Sequence, residues 1–205
     1  MKKIVAFTGA GISKPSGVPT FEELGDIRDK LSRDYFIEYP DEFYKILSSM
    51  KDIIDKVSPN PAHLALAKYK VPIITMNIDG LHKKAGSEDL IEIHGNLENV
   101  FCPKCKKVFD FNVVRKSIKC ENCNIVLETN VVLYGDSIPR YEEAVKLIST
   151  ADELLVVGTS FYTSTSSNMV HIAKLAGAKV TVINEKAEEK VPLYLNEIFN
   201  RNQVN

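Results

Sequence analysis

Short apolar runs recur along the chain, each closed by a polar or glycine-rich turn. Lys3 to Phe7, Val71 to Thr75, Leu90 to Ile93, Val131 to Tyr134, Glu153 to Val157 and Lys179 to Ile183 are rich in Val, Ile and Leu and are read as buried strands. Between them the apolar spacing is helical. Phe21 to Met50 is predicted to be mostly helix, broken near Tyr39-Pro40, with Asp41 placed to cap the helix after the break. Further helices are predicted over Ala62 to Tyr69, from Asn77 or Asp79 to about Ala85, over Tyr141 to Ser149 and over Asn168 to Ala176; Arg201 to Asn205 reads as disordered. Strands alternating with helices predict an α/β fold, a doubly wound parallel sheet of Rossmann-like type. Residues 98–128 do not follow the alternation. The expected organisation is a sheet domain built from 1–97 and 129–205, with 98–128 inserted as a small module.

A length of 205 residues suits one main domain with an insertion. The formal net charge is −1 and no long basic run stands out, which argues against a mainly electrostatic nucleic-acid binder. No apolar stretch approaches the roughly 20 residues that span a bilayer. The apolar run after Met1-Lys2-Lys3 is only Ile4-Val5-Ala6-Phe7 and ends in Thr8-Gly9-Ala10-Gly11, so it is read as a first strand rather than a signal peptide. The expected location is the cytoplasm.

The inserted module carries all the cysteines, Cys102, Cys105, Cys120 and Cys123, spaced as Cys-x2-Cys, fourteen residues, Cys-x2-Cys. Two such knuckles set four thiolates at the corners of a tetrahedron, the geometry that zinc accepts. Disulfides are disfavoured in a reducing compartment, and two close pairs are disfavoured as a redox centre. Four thiolates leave no open coordination position, so the ion is expected to be structural.

Candidate chemistry gathers at the strand ends. Thr8-Gly9-Ala10-Gly11-Ile12-Ser13 follows the first strand; its glycines would let backbone approach a pyrophosphate. Lys14 stands where a dinucleotide fingerprint has its third glycine, so the loop also suits an ordinary tight turn. Asn77, Asp79, His94, Thr159, Ser160, Asn184 and Glu185 follow other strands, where open α/β sheets bind ligands. Asn77 and Asp79 are also favoured helix caps, and His94 could be a buried structural histidine.

In order and spacing, Gly9-Ala-Gly-Ile-Ser13, Pro59-Asn-Pro-Ala-His63, Thr75-Met-Asn-Ile-Asp-Gly-Leu-His82, Glu92-Ile-His-Gly-Asn-Leu97, the two cysteine pairs, Val131-Val-Leu-Tyr-Gly-Asp136, Gly158-Thr-Ser160 and Ile183-Asn-Glu185 resemble the sirtuins, the NAD-dependent protein deacylases. The resemblance covers nearly the whole chain. It implies NAD and zinc as cofactors and an acyl-lysine protein or peptide as substrate, with no membrane or nucleic acid involved. It implies that the acyl carbonyl oxygen displaces nicotinamide from the ribose of NAD, giving free lysine and an O-acyl-ADP-ribose. His94 then matches the general base, a task suited to a side chain that titrates near neutrality. Asn77 joins it as a catalytic candidate.

The same match places Gly9, Ala10, Gly11, Ser13, Phe21, Met76, Asn77, Ile78, Asp79, Gly158, Thr159, Ser160, Asn184 and Glu185 at the cofactor. Asn77 and Asp79 would line the nicotinamide pocket, with Ile78 as its apolar wall. Val132, Tyr134, Gly135 and Asp136 would pair with the substrate backbone. His63 and His82 are read as structural, and His171 as a surface residue.

Three departures from the family pattern stand out. Glu22 follows Phe21 where the family has Arg, so Lys14 or Arg28 would have to supply the cation. Met76 replaces Gln, and Phe161-Tyr-Thr-Ser-Thr165 follows Gly158-Thr-Ser160 where apolar residues and a proline are common. The first two changes motivate an alternative use of NAD, mono-ADP-ribosyl transfer or hydrolysis. A non-catalytic nucleotide-binding protein is a third reading.

Overall fold

The computed structural model describes residues 2–20, 23, 25–160 and 164–201. The strands among them are β1 (Ile4–Thr8), β2 (Ile73–Thr75), β3 (Leu90–Glu92), β4 (Asn99–Phe101), β5 (Val108–Asp110), β6 (Glu128–Thr129), β7 (Glu153–Val157) and β8 (Lys179–Ile183). Five of them form one sheet in the order β3-β2-β1-β7-β8, parallel at every pairing. The order reverses direction at β1, next to β7, which is the topological switch point of such a sheet.

The helices are α1 (Arg33–Glu38), α2 (Pro40–Ile54), α3 (Pro61–Lys68), α4 (Leu81–Lys84), α5 (Tyr141–Ile148), α6 (Ser164–Leu175) and α7 (Ala187–Arg201). Side chains alternate across the buried central strands. Ile4 and Ala6 of β1 pack with Leu66 of α3 and with Val191 and Leu195 of α7, while Val5 and Phe7 pack with Ile148 of α5 and with Met169 and Ala173 of α6. Both faces are covered, which is why these strands are continuously apolar.

A third core lies outside the sheet. Strands β4, β5 and β6 form an antiparallel sheet in the order β5-β4-β6. Val100, Phe111 and Leu127 of this region pack against Phe36 of α1 and Phe43, Tyr44 and Leu47 of α2. The rings of Phe36 and Phe43 meet edge to face at 5.0 Å, and the buried Tyr44 hydroxyl donates to the Leu127 carbonyl at 2.6 Å. The module therefore borrows its core from α1 and α2, which precede it by more than forty residues in the chain.

Several expectations change. Helix α4 begins at Leu81 with Gly80 at its N-cap, not at Asn77 or Asp79. Helix begins at Arg33, not near Phe21, since the described residues before it form short turns; Phe21 itself lies outside the described residues. Helix α2 begins at Pro40 with Tyr39 at its N-cap, and Asp41 is a first-turn acid rather than a cap. Proline tolerates the first helical position because its missing N–H would be unpaired there, which moves the start one residue back. Val131 to Tyr134 is extended but joins no sheet. Val132 N–H donates to the His94 carbonyl at 2.9 Å, while Tyr134 N–H donates to the Leu31 carbonyl at 3.0 Å. Two partners in different places leave no continuous ladder.

The apolar pattern does not announce helix α7. Pro192 inside it reads as a breaker and removes one helical hydrogen bond, but the fully buried Val191 and Leu195 anchor the helix over the sheet.

Gly95 has φ +72°, and a Cβ there would lie 1.8 Å from the Asn130 carbonyl oxygen. Gly95→Ala should therefore destabilise the fold by more than the roughly 1–3 kcal/mol of backbone strain alone. Urea unfolding should show a lower midpoint with an unchanged slope.

Candidate functional site

The loops after β1 and β7 touch through backbone alone. Gly9 N–H donates to the Val157 carbonyl at 3.0 Å and Gly11 N–H to the Gly158 carbonyl at 2.8 Å. Gly158 has φ +64°, and a Cβ on it would sit 2.2 Å from the Ile12 nitrogen; one on Gly11 would sit 2.7 Å from the Gly158 Cα. Side chains are excluded from both, which explains the glycines without reference to any ligand. Ala10 to Ile12 make a 3-10 turn, and Ser13 follows fully buried. A Cβ on Gly9 would approach Thr159 Cβ at 3.1 Å and Met76 Cε at 3.2 Å, so the ends of β1, β2 and β7 converge there. The exposed Asn184 accepts from Thr159 N–H at 3.1 Å and donates to the Thr159 carbonyl at 2.8 Å. Its amide thus braces the β7 loop. Ser160 and Glu185 are exposed nearby in sequence. Phe21 and Glu22 lie outside the described residues, as do Phe161 to Thr163.

Behind this crossing lies a connected set of buried polar side chains. Asn77 Nδ2 donates to Ser13 Oγ at 3.1 Å, and His63 Nε2 lies 3.3 Å from the same oxygen. Ser13 and Asn77 both bond the Asp79 carboxylate, whose Oδ1 also accepts Leu81 N–H at 2.9 Å at the start of α4. Burial raises the Asp79 carboxyl above its ordinary value, and these bonds oppose the rise. Thr8 Oγ1 contacts Thr75 Oγ1 at 2.8 Å and His82 Nε2 at 2.9 Å, and Asn77 N–H donates to Thr75 Oγ1 at 3.1 Å. The rings of His63 and His82 lie 4.8 Å apart. Burial holds His82 well below the ordinary imidazole value and His63 at about 4, so both rings are neutral near pH 7.

His94 follows β3 and is half-buried. Its Nδ1 lies 3.1 Å from the Met76 carbonyl oxygen. A carbonyl can only accept, so Nδ1 carries the proton and Nε2 keeps its lone pair. Burial lowers the His94 value and the Met76 bond partly opposes the shift. The Met76 side chain is buried in the sheet core, whereas Ile78 packs into the core shared with the cysteine module.

The segment after the module is braced by Arg33. Its Nε and Nη2 both donate to Asp136 at 2.9 Å, its Nη1 to Glu128 at 2.8 Å, and its backbone N–H to the Tyr134 carbonyl at 2.9 Å. Burial alone would raise the Asp136 carboxyl, but the Arg33 fork and Leu133 N–H outweigh it and hold the group below its ordinary value. Val132 is half-buried beside His94, while Tyr134 and Gly135 are exposed. Both cations named as substitutes at the cofactor loop are engaged: Lys14 pairs with Glu23 at 2.7 Å, and Arg28 lies over the Tyr134 ring at 5.8 Å.

The cysteine knuckles repeat one backbone pattern. Cys102 N–H donates to the Lys107 carbonyl and Cys120 N–H to the Ile125 carbonyl, at 2.9 and 2.8 Å. Lys106 and Asn124, equivalent in the two turns, both have left-handed φ, 61° and 52°. The four sulfurs lie within 4.8 Å of one another, with Cys105 and Cys120 at 3.8 Å. A tetrahedral zinc with bonds of about 2.3 Å has sulfur–sulfur edges of about 3.8 Å, so the set fits zinc. The Cys105 and Lys104 N–H groups bring the Cys102 thiol down to about 6, while burial and its sulfur neighbours push Cys123 up to about 12. Four thiolates this close repel one another, and a divalent cation removes that conflict.

Every cofactor-loop and strand-end residue named from the sequence that is described lies at the carboxyl ends of the sheet strands, apart from the substrate segment, which runs along the module side. Thr8, Asn60 and Thr75 had no role assigned from sequence, and His63 and His82 were expected only as braces. A signal for Asn60 and His63 was present: Asn-Pro-x-His is a helix start with a partner at the third helical position.

A parallel sheet with a backbone-only crossing at its switch point, beside a four-thiolate module, defines a nucleotide-binding α/β protein with a structural zinc module. The chain belongs to the Sir2 family, whose model matches residues 9–164. It is 37% identical over 201 residues to an NAD-dependent protein deacetylase of Bacillus cereus, covering 90% of this chain and 83% of that one. It superposes with a TM-score of 0.84 and 29% identity on Sir2 in complex with the inhibitor EX-527, 2'-O-acetyl-ADP-ribose and a deacetylated p53 peptide, covering 99% of this chain and 95% of that one. A Sir2 homolog–NAD complex gives a TM-score of 0.88 at 27% identity, covering 98% and 90%.

Zinc release should unfold the module, since a structural site of this kind supplies on the order of 10 kcal/mol. Elemental analysis should find one zinc per chain in the wild type and none in Cys120→Ser. That variant should also lose the packing of Phe111 and Leu127 against α2, seen as rapid amide exchange there.

Proposed function

We propose that this chain is an NAD-dependent protein-lysine deacylase that yields nicotinamide, O-acyl-ADP-ribose and free lysine. The observation that carries it is His94: its Nδ1–H is committed to the Met76 carbonyl, so its Nε2 keeps the lone pair that can accept a proton. NAD would supply an electrophilic ribosyl carbon with nicotinamide as its leaving group. His94 would take a proton from a ribose hydroxyl at Nε2. Asn77, Asp79 and Ser13 would hold and orient the nicotinamide end. Gly9 to Gly11 with Gly158 and Thr159 would let the phosphates approach bare backbone closely. Val132 and Tyr134 to Asp136, braced by Arg33, would receive the peptide as an added strand.

The zinc takes no part in these steps; its module, residues 98–128, would form one wall of the substrate cleft, with residues 1–97 and 129–205 as the nucleotide-binding domain. A cytoplasmic location is part of the proposal, supported by four thiols held for a metal and none in a disulfide. No direct nucleic-acid binding is expected. No helix among the described residues is long and apolar enough to cross a membrane.

Incubation with NAD and acetyl-lysine peptides should release nicotinamide and O-acetyl-ADP-ribose, identified by mass spectrometry. His94→Ala should lower that rate by at least about 100-fold. ADP-ribose attached to an acceptor without any acyl peptide would favour the transferase alternative, and no NAD binding by calorimetry would sink all enzymatic versions.

The pH profile is a second check. The base acts in its neutral form, and burial lowers its folded value beneath 6.5. The acidic limb of kcat/KM should therefore have its midpoint below 6.5, with activity lost as pH falls through it.

A further inference from the structure

We propose that His63, which reaches the nucleotide site only through Ser13, is a positioning residue for that site: by accepting one helix-capping hydrogen bond it is committed to a single tautomer, and that tautomer turns the Ser13 hydroxyl towards Asp79. The inference rests on the proposed NAD site, and it adds a residue to that site from outside.

The chain of cause begins with a helix cap. Helix α3 opens with Asn60 as N-cap and Pro61 at its first position. Asn60 Oδ1 accepts Ala62 N–H at 2.9 Å, and Asn60 N–H donates to His63 Nδ1 at 3.3 Å. This is a capping box in which His occupies the third helical position, where Glu or Gln is usual. Because a backbone N–H can only donate, Nδ1 must be the bare nitrogen of a neutral ring, and the single ring proton is on Nε2. Nε2 lies 3.3 Å from Ser13 Oγ and donates to it.

Ser13 Oγ then has both acceptor positions filled, by His63 Nε2–H and by Asn77 Nδ2–H at 3.1 Å. A hydroxyl has one proton and two lone pairs, so its proton is left for the remaining neighbour, the Asp79 carboxylate. The direction of the whole chain is thereby fixed by the cap of α3. Asn60 also ties that cap to the cofactor loop, donating through Nδ2 to the Ile12 carbonyl at 2.7 Å and to Ser16 Oγ at 3.0 Å. His63, Ser13, Asn77 and Asp79 are all buried, so water offers no substitute donor. Burial keeps His63 neutral near pH 7, as its role requires, and the Ser13 bond is the largest influence opposing the rise of the Asp79 carboxyl.

Two variants separate this role from packing. In His63→Gln the amide oxygen can accept Asn60 N–H and the amide NH2 can donate to Ser13. His63→Met has a similar shape and can do neither. With folding of both checked by thermal melts, initial rates over a range of NAD at saturating acetyl-lysine peptide should give a KM for NAD raised about tenfold in His63→Met, the loss of a hydrogen bond to a charged group at second hand. Inhibition by nicotinamide should weaken in proportion, and the KM for peptide should not move. His63→Gln should stay within about twofold of the wild type.

Equal NAD KM values in the two folded variants would overturn the proposal. So would a wild-type ring carrying its proton on Nδ1, read from the ring-nitrogen shifts of 15N-histidine-labelled protein, a measurement that stands even if His63→Met does not fold. A wild type that neither binds nor consumes NAD while showing the Nε2–H tautomer would instead overturn the proposed function and leave the hydrogen-bond order standing.

Discussion

The approach of Gly11 to Gly158 is the contact on which the rest of the site depends. Two loops from neighbouring parallel strands cross with a carbonyl–amide bond of 2.8 Å and no room for a Cβ on either side. Without that crossing, Ser13 would not reach the floor between β1 and β2, where Asn77 and His63 meet it. The glycines are therefore required first by packing. The same absence of side chains leaves bare backbone at the switch point, which a pyrophosphate could approach closely. Structural and functional demands on these residues coincide.

Burying Thr8, Ser13, Asn60, His63, Thr75, Asn77, Asp79 and His82 together is costly unless each finds a partner, at roughly 1–3 kcal/mol for every group left unpaired. Apart from His82 Nδ1, which is buried without a partner, the protein meets this demand with chains that have a direction. Amides and neutral imidazoles donate, hydroxyls accept and pass a proton onward, and one chain ends on the Asp79 carboxylate. Such a network is rigid because reversing one bond would strand its neighbours. These bonds oppose the rise that burial imposes on the Asp79 carboxyl.

Much of this was legible in the chain itself. Strand periodicity gave the parallel sheet, cysteine spacing gave the tetrahedral thiolate set, and the motif order gave the family. What escaped was set by contacts distant in sequence. Pro192 hid α7, because a breaker is tolerated only when burial of Val191 and Leu195 compensates. Val131 to Tyr134 has the composition of a strand, yet its hydrogen-bond partners are His94 and Leu31, which no local pattern announces. The module, residues 98–128, read as a unit of its own, but Phe36, Phe43 and Tyr44 complete its core from far upstream. The tautomer of His63 was readable in principle from Asn-Pro-x-His, though its target Ser13 lies fifty residues away.

The zinc module and the nucleotide floor are joined by few residues, and their chemistry explains how a structural metal can matter to a reaction it does not touch. Ile78 stands between Asn77 and Asp79 in sequence but packs into the module core with Leu97 and Val131. Its neighbours face the buried network, so a shift of the module would pull on both. On the far side, Arg33 holds Glu128 of β6 and Asp136 of the extended segment in one guanidinium fork, and Val132 hangs from the His94 carbonyl. The module is thus clamped at two points to the residues proposed to bind nicotinamide and peptide. Four thiolates around one ion make that clamp stiff, since the knuckles have little apolar surface of their own to hold them. A cleft formed between a rigid sheet and a module pinned in this way can align two substrates while the metal remains outside the chemistry.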